Sequence, residues 1–129
     1  MKKQEQIEEW LRRAESNLER ARAGKMSDKV LYEDICFDCQ QSVEKALKGL
    51  LVSFEIDFPY THAISKLITL IESLGIDVPE KVKKSVVLSI YAMDARYPGY
   101  GESIGEEGYK EALELAEHVY NWVVEMLNR

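Results

Sequence analysis

Proline is scarce in this chain of 129 residues, with three in all, and cysteine and histidine number two each. Few prolines leave long stretches free of the residue that breaks helices. The two cysteines, Cys36 and Cys39, are too few for the disulfide framework of a small secreted domain. A redox CxxC pair would want a strand-to-helix setting, and a zinc site would want further ligands where only His62 and His118 are on hand. They read instead as small core residues sharing a helix face. Long apolar runs are missing too: the longest, Ala46 to Phe54, is interrupted by Lys48 and Gly49, far short of the roughly 20 residues that span a bilayer. No apolar stretch follows the lysines of MKKQEQIEEW, so no secretory signal is expected and a cytoplasmic location is. Positive charge is in deficit, the net charge being -6. That argues against a surface basic throughout, since nucleic-acid binding rests on clustered Lys and Arg. Neither DNA nor membrane is expected as a partner, and no cofactor or metal is implied.

What is present is apolar residues at helical spacing. A 46% hydrophobic and 31% charged composition suits one water-soluble domain, long enough to bury about two thirds of its unfolded surface. Ile7, Trp10, Leu11, Ala14, Leu18 and Ala21 predict a helix from Gln4 to about Ala23, closed by Gly24. A second helix is predicted from about Lys29 to Glu55, capped by Ser27 or Asp28 and stopping before Pro59. Thr61 stands where a cap belongs for a third, short helix through Ala63, Ile64, Leu67, Ile68, Ile71 and Leu74, ending at Gly75. Asp77 and Pro79 open a fourth, with Val82, Val86, Ile90 and Met93 as its apolar stripe. Residues 97–108 are glycine-rich and predict a loop, and from about Glu106 a fifth helix runs to the carboxyl terminus. The fold class expected is all-α: an up-and-down four-helix bundle with an additional short helix, about five helices in total, four of them long.

The second helix organises the chain. Its apolar side gathers Cys36, Cys39, Val43, Ala46, Leu47, Leu50 and Phe54, with Gln41, Glu44, Lys45 and Lys48 opposite. Glu44 and Lys48, one turn apart with the acid first, predict a solvated ion pair. Lys45 and Lys48 read alternatively as a positive stripe at an interface or beside a phosphate. His62 reads as an exposed first-turn residue rather than a base, since no nucleophile stands near it in sequence. Arg96, where the fourth helix meets the loop, has the forked guanidinium that grips carboxylate or phosphate, or else closes the helix end. Tyr97 and Tyr100 are placed to stack on a base or to pack over the bundle end. The loop glycines do not follow the GxGxxG pattern, and Glu106 and Glu107 put negative charge where a phosphate would sit.

Four stretches in this order carry a resemblance: Trp10 to Ala21, CFDCQQSVEKALKGLL, THAISKL and DARYPG. Together they make the chain resemble a stand-alone HEPN domain over nearly its whole length. The resemblance implies an up-and-down helical bundle like the carboxyl-terminal domain of kanamycin nucleotidyltransferase, and a homodimer. It implies a domain that assists a minimal nucleotidyltransferase by binding substrate or nucleotide, or a ribonuclease toxin of a toxin–antitoxin pair. The ribonuclease branch uses an arginine followed after four to six residues by a histidine. Here Arg96 is followed by YPGYGES, and neither His62 nor His118 has an arginine at that distance before it. The expectation is therefore a non-catalytic nucleotide-binding and interaction module using Arg96, Tyr97, Gln41, Glu44, Lys45, Lys48 and His62. The alternative is metal-independent RNA cleavage, with Arg96 joined by His62 or His118 through folding.

Overall fold

Helical periodicity becomes helix throughout the computed structural model, which describes residues 2–93, Pro98 and 103–129. The elements are α1 (Lys3–Ala23), α2 (Tyr32–Ser53), α3 (Ile64–Glu72), α4 (Glu80–Lys84), a 3-10 segment (Ser85–Ala92) and α5 (Glu106–Leu127). The fold is all-α, with five helices and no strand among the described residues. None of these helices is long and apolar enough to cross a membrane.

The most extensive packing is α1 against α2, followed by α2 against α5 and against the 3-10 segment. Helix α2 is therefore the central rod. Its Cys36, Cys39, Val43, Ala46, Leu47 and Leu50 are completely buried, as are Ala14 and Leu18 of α1 and Ala116 and Val119 of α5. Burying each leucine contributes about 1.5–3 kcal/mol. Both thiols are unpaired, and burial pushes that of Cys36 up to about 11, with a hydrogen bond to Tyr91 pulling the other way. They are core residues, as the sequence indicates. Phe54, expected on this apolar side, lies just beyond the helix and is exposed.

Helix boundaries follow local chemistry, with two corrections. Gly24 and Gly75 take positive φ after α1 and after α3, a conformation that glycine reaches without steric cost. Neither Ser27 nor Thr61 caps the helix it precedes: Ser27 Oγ accepts from the Lys29 amide and shapes the connecting turn. Thr61 Oγ1 accepts from the Ala63 amide, while the amide of Ile64 at the start of α3 goes to Ser89 Oγ of the 3-10 segment. A tertiary contact satisfies the donor that a local cap was expected to take.

The larger correction concerns the fourth helix. It is α-helical for only five residues and continues as a 3-10 helix. Val82, Ser85, Leu88 and Tyr91 are buried, a spacing of three that a 3-10 helix aligns on one side and an α-helix would smear around its axis. Of the expected stripe, Val82 is inside and Val86 half-buried, whereas Ile90 and Met93 are exposed. The β-branched run Val86-Val87, stiff at χ1, offers weak resistance to this tightening.

Candidate functional site

A central helix has little solvent face, and this decides the fate of the polar side of α2. Gln40, Glu44 and Lys48 recur every four residues and so stand in line along the helix. All three are buried beneath the 54–63 connection and the Trp10 region of α1. Glu44 is the hub. Lys48 Nζ donates to its Oε1 at 2.7 Å, and Gln40 Nε2 donates to its Oε2 at 2.8 Å. Gln41 Nε2 lies 3.3 Å from Oε2 and donates to Gln40 Oε1 at 2.8 Å. The fourth partner is His62, whose Nδ1 is 3.2 Å from Oε2. Backbone carbonyls complete the set: Thr61 O accepts from Lys48, and His62 O from Gln40.

The predicted solvated pair is thus a buried one, with side-chain exposures of 8% for Lys48 and 6% for Glu44. Burial by itself pushes the Glu44 carboxyl up. Hydrogen bonds from Lys48, Gln40 and His62, with the Lys48 charge, outweigh it and hold the group below the ordinary carboxylate range. Lys48 Nζ also lies 5.6 Å from the centre of the Trp10 ring and 5.7 Å from that of Phe58, within cation–π range. Among the described residues no buried side-chain polar atom lacks a partner, as a low-dielectric setting demands.

His62 is the member that reaches solvent, its side chain 45% exposed and edge-on to the exposed ring of Tyr60 at 5.8 Å. An ionised carboxylate only accepts hydrogen bonds, so the contact to Glu44 requires Nδ1 to carry the hydrogen, which makes Nε2 the lone-pair nitrogen of the neutral ring. This is a half-exposed imidazole tethered to a buried carboxylate. Among the described residues no serine, threonine or cysteine side chain is hydrogen-bonded to the ring.

Lys45 belongs to a second polar layer between α1 and α2. Its Nζ donates to Asn17 Oδ1 at 2.8 Å, Asn17 Nδ2 donates to Asp38 Oδ1 at 2.9 Å, and Arg20 closes on Asp38 at 3.5 Å. Burial pushes the Lys45 ammonium below its usual value, with Glu44 and Asp38 opposing. Lys45 and Lys48 therefore do not stand together as two free cations: one is tied to α1, the other to Glu44. Folding brings Gln41, Glu44, Lys48 and His62 into one cluster and sets Lys45 beside it. Arg96, Tyr97 and Tyr100 lie outside the described residues. His118 sits elsewhere, on α5, 3.2 Å from Lys81 Nζ of α4 and 3.7 Å from Glu114. No group of three or more His, Cys, Asp or Glu able to hold a metal occurs among the described residues.

Sequence reasoning does not place Gln40, Trp10 and Phe58 at this site. The four-residue spacing of Gln40, Glu44 and Lys48 is visible in the sequence, but it signals a line of side chains and is silent on whether water or protein covers them.

Comparison with known proteins agrees with this architecture. The family model described as the HEPN domain matches residues 7–127. Two crystal structures are similar over most of their length. ST0689, an archaeal HEPN homologue, is 31% identical, with 93% of this chain and 96% of that one covered and a TM-score of 0.74. TT1696 from Thermus thermophilus is 30% identical, with 92% and 96% covered and a TM-score of 0.79. No curated protein matches the sequence. With a family model spanning nearly all of its helices, and the polar line of α2 inside the matched region, the chain belongs to the HEPN domain family.

Proposed function

We propose that the protein is a non-catalytic nucleotide-binding and interaction module, acting as a homodimer beside a minimal nucleotidyltransferase, in the manner of a toxin–antitoxin pair. The observation that carries this reading is the Glu44 cluster. One buried carboxylate has its charge cancelled in place by Lys48 and is ringed by amide donors and a tethered imidazole. Such a group fixes hydrogen-bonding edges and activates no nucleophile of its own. Gln41 and His62 offer those edges. Lys45 and Arg96 supply positive charge for a phosphate, and Tyr97 a ring for packing or stacking. Glu44 and Lys48 hold the set in position.

Isothermal calorimetry of the purified protein against a nucleotide panel is expected to give saturable binding. Co-expression with a nucleotidyltransferase encoded alongside it should give co-purification, and light scattering a dimer mass. Silence in the first two removes the reading, and a monomer removes its dimeric part. A second reading, metal-independent RNA cleavage, draws on one observation: His62 Nδ1 lies 3.2 Å from the Glu44 carboxylate. It is disfavoured because the Arg-x4-6-His pattern is missing from the sequence.

A further inference from the structure

Where the start of α1 passes the end of α2, a cleft of about 680 Å³ opens between Lys3, Gln6, Trp10, Glu55, Asp57 and Phe58. A smaller hollow of about 310 Å³ shares Gln6 and Trp10 with it and adds Glu9, Arg13 and Lys45. The larger space is in the range that takes a small organic ligand. Trp10 divides the two. It is held from three sides: Phe58 meets it edge to face at 6.1 Å, Lys48 lies 5.6 Å from its ring centre, and α2 passes so close that a Cβ on Gly49 would sit 3.2 Å from Trp10 Cβ. Yet the side chain is only half-buried. A fixed, partly open aromatic surface loses little conformational freedom when a flat ligand settles on it.

The smaller hollow favours an anion. Its lining holds one carboxylate, Glu9, 2.8 Å from Arg13, together with Lys45, whose hydrogen-bond partner is the neutral Asn17. The larger side carries Glu55 and Asp57, with Glu55 3.8 Å from Lys3. An aromatic platform beside a hollow lined by Arg13 and Lys45 matches the base and the phosphate of a nucleotide.

We propose that this divided cleft seats the nucleotide, with the base stacked on Trp10 and the phosphate in the smaller hollow against Arg13 and Lys45. The proposal rests on the nucleotide-binding reading above and adds the seat of the base. Lys48, paired with Glu44 and 5.6 Å from the Trp10 ring centre, lies between that seat and the Glu44 cluster.

Two tryptophans make the test internal, since Trp10 lines the cleft and Trp122 is buried on α5. The indole N–H signals are followed by NMR during titration with the four nucleoside monophosphates, the matching nucleosides and inorganic phosphate. The expected result is that at least one monophosphate and its nucleoside move the Trp10 signal, phosphate alone does not, and the Trp122 signal stays. Trp10→Leu should weaken that monophosphate roughly 5- to 100-fold, the range for loss of one base–aromatic stack. Arg13→Ala should weaken the monophosphate several-fold and leave the nucleoside unchanged. Binding that leaves the Trp10 signal still, or that Trp10→Leu does not weaken, overturns the cleft and leaves the nucleotide reading standing. A Trp10 response to phosphate equal to that with nucleotide overturns the stacking. No binding of any probe overturns both. Should Trp10→Leu fail to fold, the wild-type titration decides.

Discussion

Replacing Lys48 by methionine should cost about 3–5 kcal/mol of folding stability, a fall in Tm on the order of 10–20 °C. The size follows from burial. Glu44 and Lys48 are almost entirely out of water, so removing the ammonium leaves a buried carboxylate without the lysine counter-charge that now meets it. The informative control is the double variant Glu44→Leu with Lys48→Met. Breaking a buried pair is far more damaging than replacing it whole by apolar groups, so the double variant should recover part of the loss. Urea unfolding monitored by circular dichroism gives the three values. A cost below about 1 kcal/mol for Lys48→Met would mean that the pair behaves as an exposed one.

The same variant has a signature in acid. In the folded protein the Glu44 carboxyl is held below its ordinary value, which is about 4.3 in an unfolded chain. Its contribution is therefore full above that value and is lost as the pH falls through the lower, folded one. Without Lys48 its hydrogen bond and its charge no longer oppose burial, and the folded value rises. Acid unfolding of Lys48→Met should then begin at higher pH than that of wild type.

The second large effect belongs to Gly49. Glycine inside a helix costs roughly 0.5–1 kcal/mol relative to alanine, so its presence in the middle of α2 calls for a reason. The reason is the approach of α1: a Cβ there would meet Trp10 Cβ at 3.2 Å, with Ile7 O and Leu11 Cδ2 at 3.8 Å. Valine adds two further methyl groups where the first carbon is already tight. Gly49→Val should destabilise by about 1–3 kcal/mol as α1 is pushed outward, and Trp10 fluorescence should change with it. If the stability is unchanged or rises, the close approach does not constrain the sequence.

How much of this was legible beforehand depended on which partner a residue meets. Helices that keep a broad exposed face opposite their apolar stripe, α1 and α5, are legible from spacing, and α5 begins at Glu106 as the pattern indicates. The central helix misled in one respect. A polar face reads as solvated, and nothing in Glu44-x-x-x-Lys48 says that residues 54–63 and Trp10 will cover it. The 3-10 segment was hidden for a similar reason. Val82, Val86 and Ile90 suit an α-helical stripe equally well, and the choice of Ser85, Leu88 and Tyr91 as inward residues comes from the surface of α2 against which they pack. The arginine–histidine spacing, by contrast, is a property of sequence alone. Its absence was as clear before folding as after.

A domain that binds without cutting should leave RNA whole. End-labelled single-stranded RNA is incubated with the purified protein without added metal and resolved on a denaturing gel, beside the His62→Ala and Arg96→Ala variants. Intact RNA is expected in every lane. Cleavage by wild type that either substitution abolishes would contradict it and make the imidazole tied to Glu44 a catalytic group.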